Sequence, residues 1–143
     1  MSGIVASLVG PWRLHKAFDN GASMVGAATI LSRGDGGFDF CEQGRLRLAS
    51  GQVLDAERRY VFEEQDRGFL VLFMETPLRL FHRVILNRIG STLVGHAIHH
   101  CGADRYDSRY TFCGNGCFTI EHTARGPRKS YVSRSHYARE ATV

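Results

Sequence analysis

The 143-residue sequence predicts an all-β protein, an antiparallel up-and-down β-barrel of about ten strands. Three observations predict it. Side chains alternate with period two along most of the chain, while runs with helical periodicity are hard to find. Turn residues, mostly Gly or Asn, recur at regular intervals. Several strand-like runs carry large or polar side chains on both faces. A barrel with an internal ligand space accommodates these, whereas a sandwich core does so only when each polar group has a partner.

Trp12 to Phe18 reads as the first strand, turned by Asp19-Asn20-Gly21. Ser23 to Ser32 is the second, closed by Arg33-Gly34-Asp35-Gly36-Gly37. Phe38 to Glu42 and Arg45 to Ala49 read as two strands divided at Gln43-Gly44, with Leu46 and Leu48 on one face and Arg45 and Arg47 on the other. After Ser50-Gly51 come Val53 to Glu64, the turn Asp66-Arg67-Gly68, and Gly68 to Glu75, where Thr76-Pro77 breaks the pattern. Leu78 to Leu86, Thr92 to Cys101, Tyr106 to Phe112, Cys117 to Ala124 and Lys129 to Arg139 complete the series. In the last strand Lys129, Tyr131, Ser133, Ser135, Tyr137 and Arg139 share one face, opposite Val132, Arg134, His136 and Ala138. Neither row is the more apolar, so periodicity leaves open which one faces inward.

Residues 1–143 suit a single barrel domain with its own core. With 43% hydrophobic and 22% charged residues the composition is that of an ordinary globular chain. The net charge of +4 is carried by Arg and Lys scattered singly, which argues against a nucleic-acid partner. Met1 to Val9 lacks a basic leader and stops at Gly10-Pro11, so no secretion signal is read there. The longest apolar patch, Phe69 to Met74, is strand-sized, far short of the roughly 20 residues that span a bilayer. The expectation is a soluble cytoplasmic protein with no membrane partner. Cys41, Cys101, Cys113 and Cys117 form no CxxC or regular framework and read as reduced, half-buried thiols.

Candidate chemistry gathers between His96 and Tyr110. On a strand His99 and Cys101 are same-face neighbours about 6.5–7 Å apart, and with Asp104 they compose a conceivable Cys-His-Asp nucleophile. The plainer reading is a strand end with a thiol, a hydrogen-bonded histidine and an acidic turn residue, and it is preferred. His99 or His100 with Cys101, Cys113 and Cys117 supplies zinc-ligand types, but the spacings match no established zinc pattern, so no metal is predicted. Cys113-Gly-Asn-Gly-Cys117 reads as a hairpin tip.

A more economical arrangement is a polar, partly cationic lining for an anionic ligand, built from Arg59, His82, His99, Tyr106, Tyr110, Lys129, Tyr131 and Arg139. Arg45, Arg47, Arg58 and Arg67 are read as solvating the outside, and Arg88, Arg105, Arg109 and Arg125 as turn residues.

Gly10-Pro11-Trp12, Glu42-Gln43-Gly44, Arg59-Tyr60, Phe81-His82, His99-x-Cys101-x-x-Asp104-x-Tyr106, Gly126-Pro127-Arg128-Lys129-x-Tyr131 and Tyr137-x-Arg139 span almost the whole chain. Together they resemble a family of short bacterial proteins of unknown function, similar in turn to the lipocalin and nitrobindin-like barrels of the calycin group. The resemblance implies that Arg128 or Arg139 stacks on the Trp12 indole at the barrel end. It also implies haem as a possible cofactor, with His99 or His122 as proximal ligand, although a lone strand histidine is more often bonded in the wall. His99, Lys129 and Tyr131 stand out because each lies in a shared motif.

The function expected is binding of a small, partly apolar molecule with an acidic group. One alternative is a small hydrolase, isomerase or cyclase using His99 as general acid or base with Tyr106 or Lys129. A haem or metal carrier is another. Exposed Phe81 or Phe118 would offer a protein contact, and paired barrels a homodimer.

Overall fold

The computed structural model describes residues 3–140, and these form ten strands closed into a barrel. The strands are β1 (Gly10–Phe18), β2 (Ser23–Ser32), β3 (Gly37–Arg47), β4 (Val53–Gln65), β5 (Gly68–Phe73), β6 (Arg79–Ile89), β7 (Thr92–Cys101), β8 (Asp104–Phe112), β9 (Cys117–Gly126) and β10 (Lys129–Arg139). Each pairs antiparallel with its neighbour in sequence. β10 returns to β1 with Trp12 opposite Arg139 and Phe18 opposite Ser133. The up-and-down order follows from the short turns, and closure removes the sheet edges.

Period-two alternation assigns the inner face. Trp12, Leu14 and Lys16 of β1 are buried while Arg13, His15 and Ala17 are exposed. In β10 the row running from Tyr131 through Ser133, Ser135 and Tyr137 is the inner one. Gln43-Gly44 does not divide a strand: β3 runs unbroken past it. A Cβ on Gly44 would lie 2.5 Å from the Val25 carbonyl oxygen, and one on Gly26, its register partner, 2.0 Å from the Gln43 carbonyl oxygen. The two glycines let β2 and β3 approach closely, a role other than a turn.

One end is plugged by the segment before β1. Val5 and Leu8 are buried there, Val5 just before a short 3₁₀ turn at Ala6–Leu8 and Leu8 as its last residue. Glu64 accepts hydrogen bonds from the backbone N–H groups of Val5 (3.2 Å) and Ala6 (3.0 Å). The Trp12 indole N–H donates to the Leu8 carbonyl at 2.8 Å. Arg139 lies over that indole at 4.1 Å and donates to the carbonyls of Val9 (2.9 Å) and Ser7 (2.7 Å). Of the two stacking candidates, Arg139 is the one in place. Beneath it Trp12 meets Phe118 edge-on at 4.7 Å, and Phe118 meets Phe112 and Tyr137. Aromatic contacts of this kind contribute about 0.5–1.5 kcal/mol each beyond their burial.

Phe81 and Phe118 are not exposed contact residues, being only 7% and 1% accessible. For Phe81 the reason is a β-bulge. The β5–β6 register slips at Val71/Leu72, which face His82 and Leu80, so Phe81 is the extra residue. Two consecutive side chains, Phe81 and His82, therefore both turn inward. The β6–β7 ladder is short. It joins Ile85–Ile89 to Thr92–His96, and no register pairs are formed between Arg79–Val84 and Ala97–Cys101. This seam reaches the unplugged end of the barrel, its mouth. Among the described residues no helix is long and apolar enough to cross a membrane.

Candidate functional site

The strands bring a polar layer to the middle of the barrel. Lys16 of β1 and Glu42 of β3 form a buried ion pair at 2.8 Å, side chains 7% and 3% accessible. The Tyr137 hydroxyl donates to the other Glu42 oxygen. Across the lumen the His82 Nε2 and the Tyr110 hydroxyl share a hydrogen bond of 2.7 Å, as do the His122 Nδ1 and the Ser108 hydroxyl. Ser108 and His122 are cross-strand register partners. His82 Nδ1 is the one buried side-chain polar atom among the described residues with no hydrogen-bond partner.

Burial, with His99 nearby, lowers the His82 pKa to about 3. His122 is likewise lowered to about 3, by burial first and then by the positive charge of Arg58 and by His82 and Lys16. Both imidazoles are therefore neutral at physiological pH. Burial, reinforced by Glu42, pushes the Tyr110 and Tyr137 hydroxyls well above their ordinary range.

Arg58 is the exception to this saturation. Register partner of Glu42, it faces the lumen beside the Tyr60 hydroxyl and lines the central chamber with Lys16, Glu42, His122 and Tyr137. No carboxylate lies within ion-pairing distance of it among the described residues. The chamber itself is small, about 10 Å³, room for about one water. The chamber has no room for an organic molecule.

The mouth wall is aromatic. Phe81 stacks on Tyr60 at 5.9 Å, meets Phe73 at 4.8 Å and closes on His99 at 5.2 Å across the seam. Beside His99, Tyr106 accepts a hydrogen bond from Lys129 Nζ at 2.6 Å, and Lys129 stands 3.8 Å from Asp104. The bond to Tyr106 raises the Lys129 pKa. Tyr131 lies beside Phe18.

Six of the eight expected lining residues thus share the lumen or its mouth: His82, His99, Tyr106, Tyr110, Lys129 and Tyr131. Two do not. Arg59 points outward, where it pairs with Glu57, because the strand pleat turns it away from the face of Tyr60 and Phe62. Arg139 belongs to the plug at the opposite end. The arginine on the inner face is Arg58, read from the sequence as lying outside; at the mouth it stays exposed to solvent. Lys16, Glu42 and Ser108 were not anticipated, although each shares a face with large apolar neighbours: Leu14 for Lys16, Phe40 for Glu42, Tyr110 for Ser108. A charge on an apolar face was the available signal.

No hydrogen bond among the described residues joins His99 to Cys101 or Asp104. Cys101 is exposed while His99 turns to the aromatic wall. Nor do three His, Cys, Asp or Glu side chains gather as a metal site among the described residues. A cleft of about 1230 Å³ lies at the plugged end between Ile4, Glu64 and the β6–β7 turn region, with Arg67, Arg83 and Arg88 at its rim and wide exposure to solvent.

Residues 8–139 match the model of a family of unknown function, DUF6314. No curated protein matches the chain. Among solved structures, an S-type phycobiliprotein lyase from Guillardia theta is 12% identical, covering 97% of this chain and 92% of its own, with TM-score 0.67. A de novo designed fluorescence-activating β-barrel is 9% identical over 98% and 100%, with TM-score 0.50. A redesigned β-barrel bound to DFHBI is 15% identical over 96% and 100%, with TM-score 0.48. At these identities the likeness is one of fold.

Proposed function

The chain belongs to this family of unknown function, and we propose that it binds a small, partly apolar organic anion in the mouth of its barrel. The observation that carries the reading is Arg58, a cation on the inner face of the barrel, open to solvent at the mouth, with no carboxylate partner among the described residues. Its guanidinium is placed to grip a carboxylate or phosphate at the base of the mouth. Phe73, Phe81, His99 and Tyr106 supply an aromatic wall for the rest of the molecule. The orphan His82 Nδ1 adds one unspent hydrogen-bonding position.

Binding is favoured over hydrolysis by the histidines. Ser108 with His122, and Tyr110 with His82, have the outward form of a nucleophile and its base. A general base works best with a pKa near the operating pH. These two stand near 3, and for His122 the neighbouring cations oppose an imidazolium further. Both are better suited to accept or donate fixed hydrogen bonds than to carry a proton through a reaction.

Native mass spectrometry of wild type and Arg58→Ala, isolated from the source cells, tests the proposal. The expected result is an organic anion retained by wild type and lost from the variant, with equal thermal stability of the two proteins. A ligand held equally by both, or a wild type that carries none and takes up none from a panel of aromatic carboxylates, would overturn it.

A further inference from the structure

The turn between β8 and β9 holds two cysteines that the lumen does not use. Cys113 and Cys117 flank Gly114-Asn115-Gly116, whose glycines take φ of +76° and +80° to reverse the chain tightly. The Cys113 N–H donates to the Cys117 carbonyl at 3.3 Å. The next pair along the ladder is Phe112 with Phe118, both buried in the barrel. Alternation therefore turns the two cysteines to one shared outer face.

Directly opposed residues in a hydrogen-bonded antiparallel pair stand about 5.5 Å apart at Cα, within the span of about 4.4–6.8 Å that a disulfide bridges. The thiols are neighbours. Burial and the adjacent Cys113 thiol both raise the Cys117 pKa, and Cys117 Sγ donates to Asn115 Oδ1 at 2.9 Å. Both residues are half-buried and reachable from solvent. With no cluster of three metal-ligating side chains among the described residues, the chemistry open to this pair is with each other.

We propose that Cys113 and Cys117 form a thiol–disulfide exchange site that closes reversibly against a low-molecular-weight disulfide such as oxidised glutathione. One cysteine thiolate attacks a glutathione sulfur, breaks its S–S bond and releases one glutathione. The second cysteine attacks the protein sulfur of the mixed disulfide and releases the other. Two electrons pass from the cysteines to the reagent, and the two cysteine protons end on the two glutathione thiols. The crosslink closes the loop whose Gly116 carbonyl accepts the Arg139 N–H at 2.9 Å. Arg139 in turn clamps the plug, so oxidation state is linked to the stability of that end.

Intact and tryptic mass spectrometry of the native protein after incubation with oxidised glutathione decides the matter. The expected product is lighter by about 2 Da, carries the loss on the peptide 110–125, and reverts with dithiothreitol. Cys113→Ser should instead retain one glutathione, a gain of about 305 Da, and Cys101→Ser should behave as wild type on that peptide. Glutathione retained on the wild-type peptide without the 2 Da loss, or no reaction there at all, would sink the proposal.

Discussion

At the plugged end an arginine lies over an aromatic ring, and at the mouth another arginine stands beside one, yet the two are put to different use. Arg139 covers Trp12 and spends its N–H groups on the carbonyls of Ser7 and Val9. Arg58 sits beside Tyr60 with no carboxylate to hold. What separates a closure from a receptor here is whether the donors are already satisfied. A saturated guanidinium locks chain to chain, whereas one at the open mouth with no carboxylate partner keeps its donors free for the anion proposed above.

The comparison breaks first at Trp12. Trp12→Ala removes a fully buried indole, its hydrogen bond to Leu8 and the platform under Arg139, and should cost about 3–5 kcal/mol in urea unfolding. An unchanged midpoint would mean that the plug does not hold the barrel.

Acid should weaken the central layer next. His82 and His122 have folded pKa values of about 3 against an ordinary 6.5. Between those values the unfolded chain binds protons that the native state refuses, so their contribution is intact above pH 6.5 and is lost as the pH falls toward 3. At about pH 5.5 the pair should already have cost about 2–3 kcal/mol. Unfolding curves of wild type and a His82→Gln/His122→Gln variant across this range should diverge in slope. Parallel curves would show that the histidines are not held neutral.

The smallest expected change in stability is at the rim. Lys129→Ala and His99→Ala should shift stability by no more than about 0.5 kcal/mol while weakening the anion binding proposed at Arg58. If either variant unfolds as readily as Trp12→Ala, the mouth is a structural element and the contrast between the ends fails.

Much of the architecture was legible because alternation and turn chemistry are local. The bounds of β2, β7 and β10 coincide with their sequence readings, and the barrel follows from their number and regular spacing. The errors are errors of partner and pleat. Gly44 was read as a turn because its actual role, close approach to Gly26, depends on another strand. Naming Arg59 in the lining and Arg58 outside is an error of one residue, though Tyr60 and Phe62 already mark the even positions as the inner face, and a shift of one residue reverses every side chain. The inward turn of both Phe81 and His82 was not legible at all, because the bulge exists only relative to the register of β5.

The short β6–β7 ladder gives the barrel a direction of easy breathing. Most other ladders continue to the mouth, and there widening would break backbone hydrogen bonds; the β4–β5 ladder also stops short, at Tyr60 and Phe73. At the seam it parts only ring contacts such as Phe81 with His99, with five register pairs left below as a hinge. A guest broader than the resting aperture can therefore be admitted without unzipping a strand, and amide hydrogen exchange around Arg79–Val84 and Ala97–Cys101 is where that motion would be recorded.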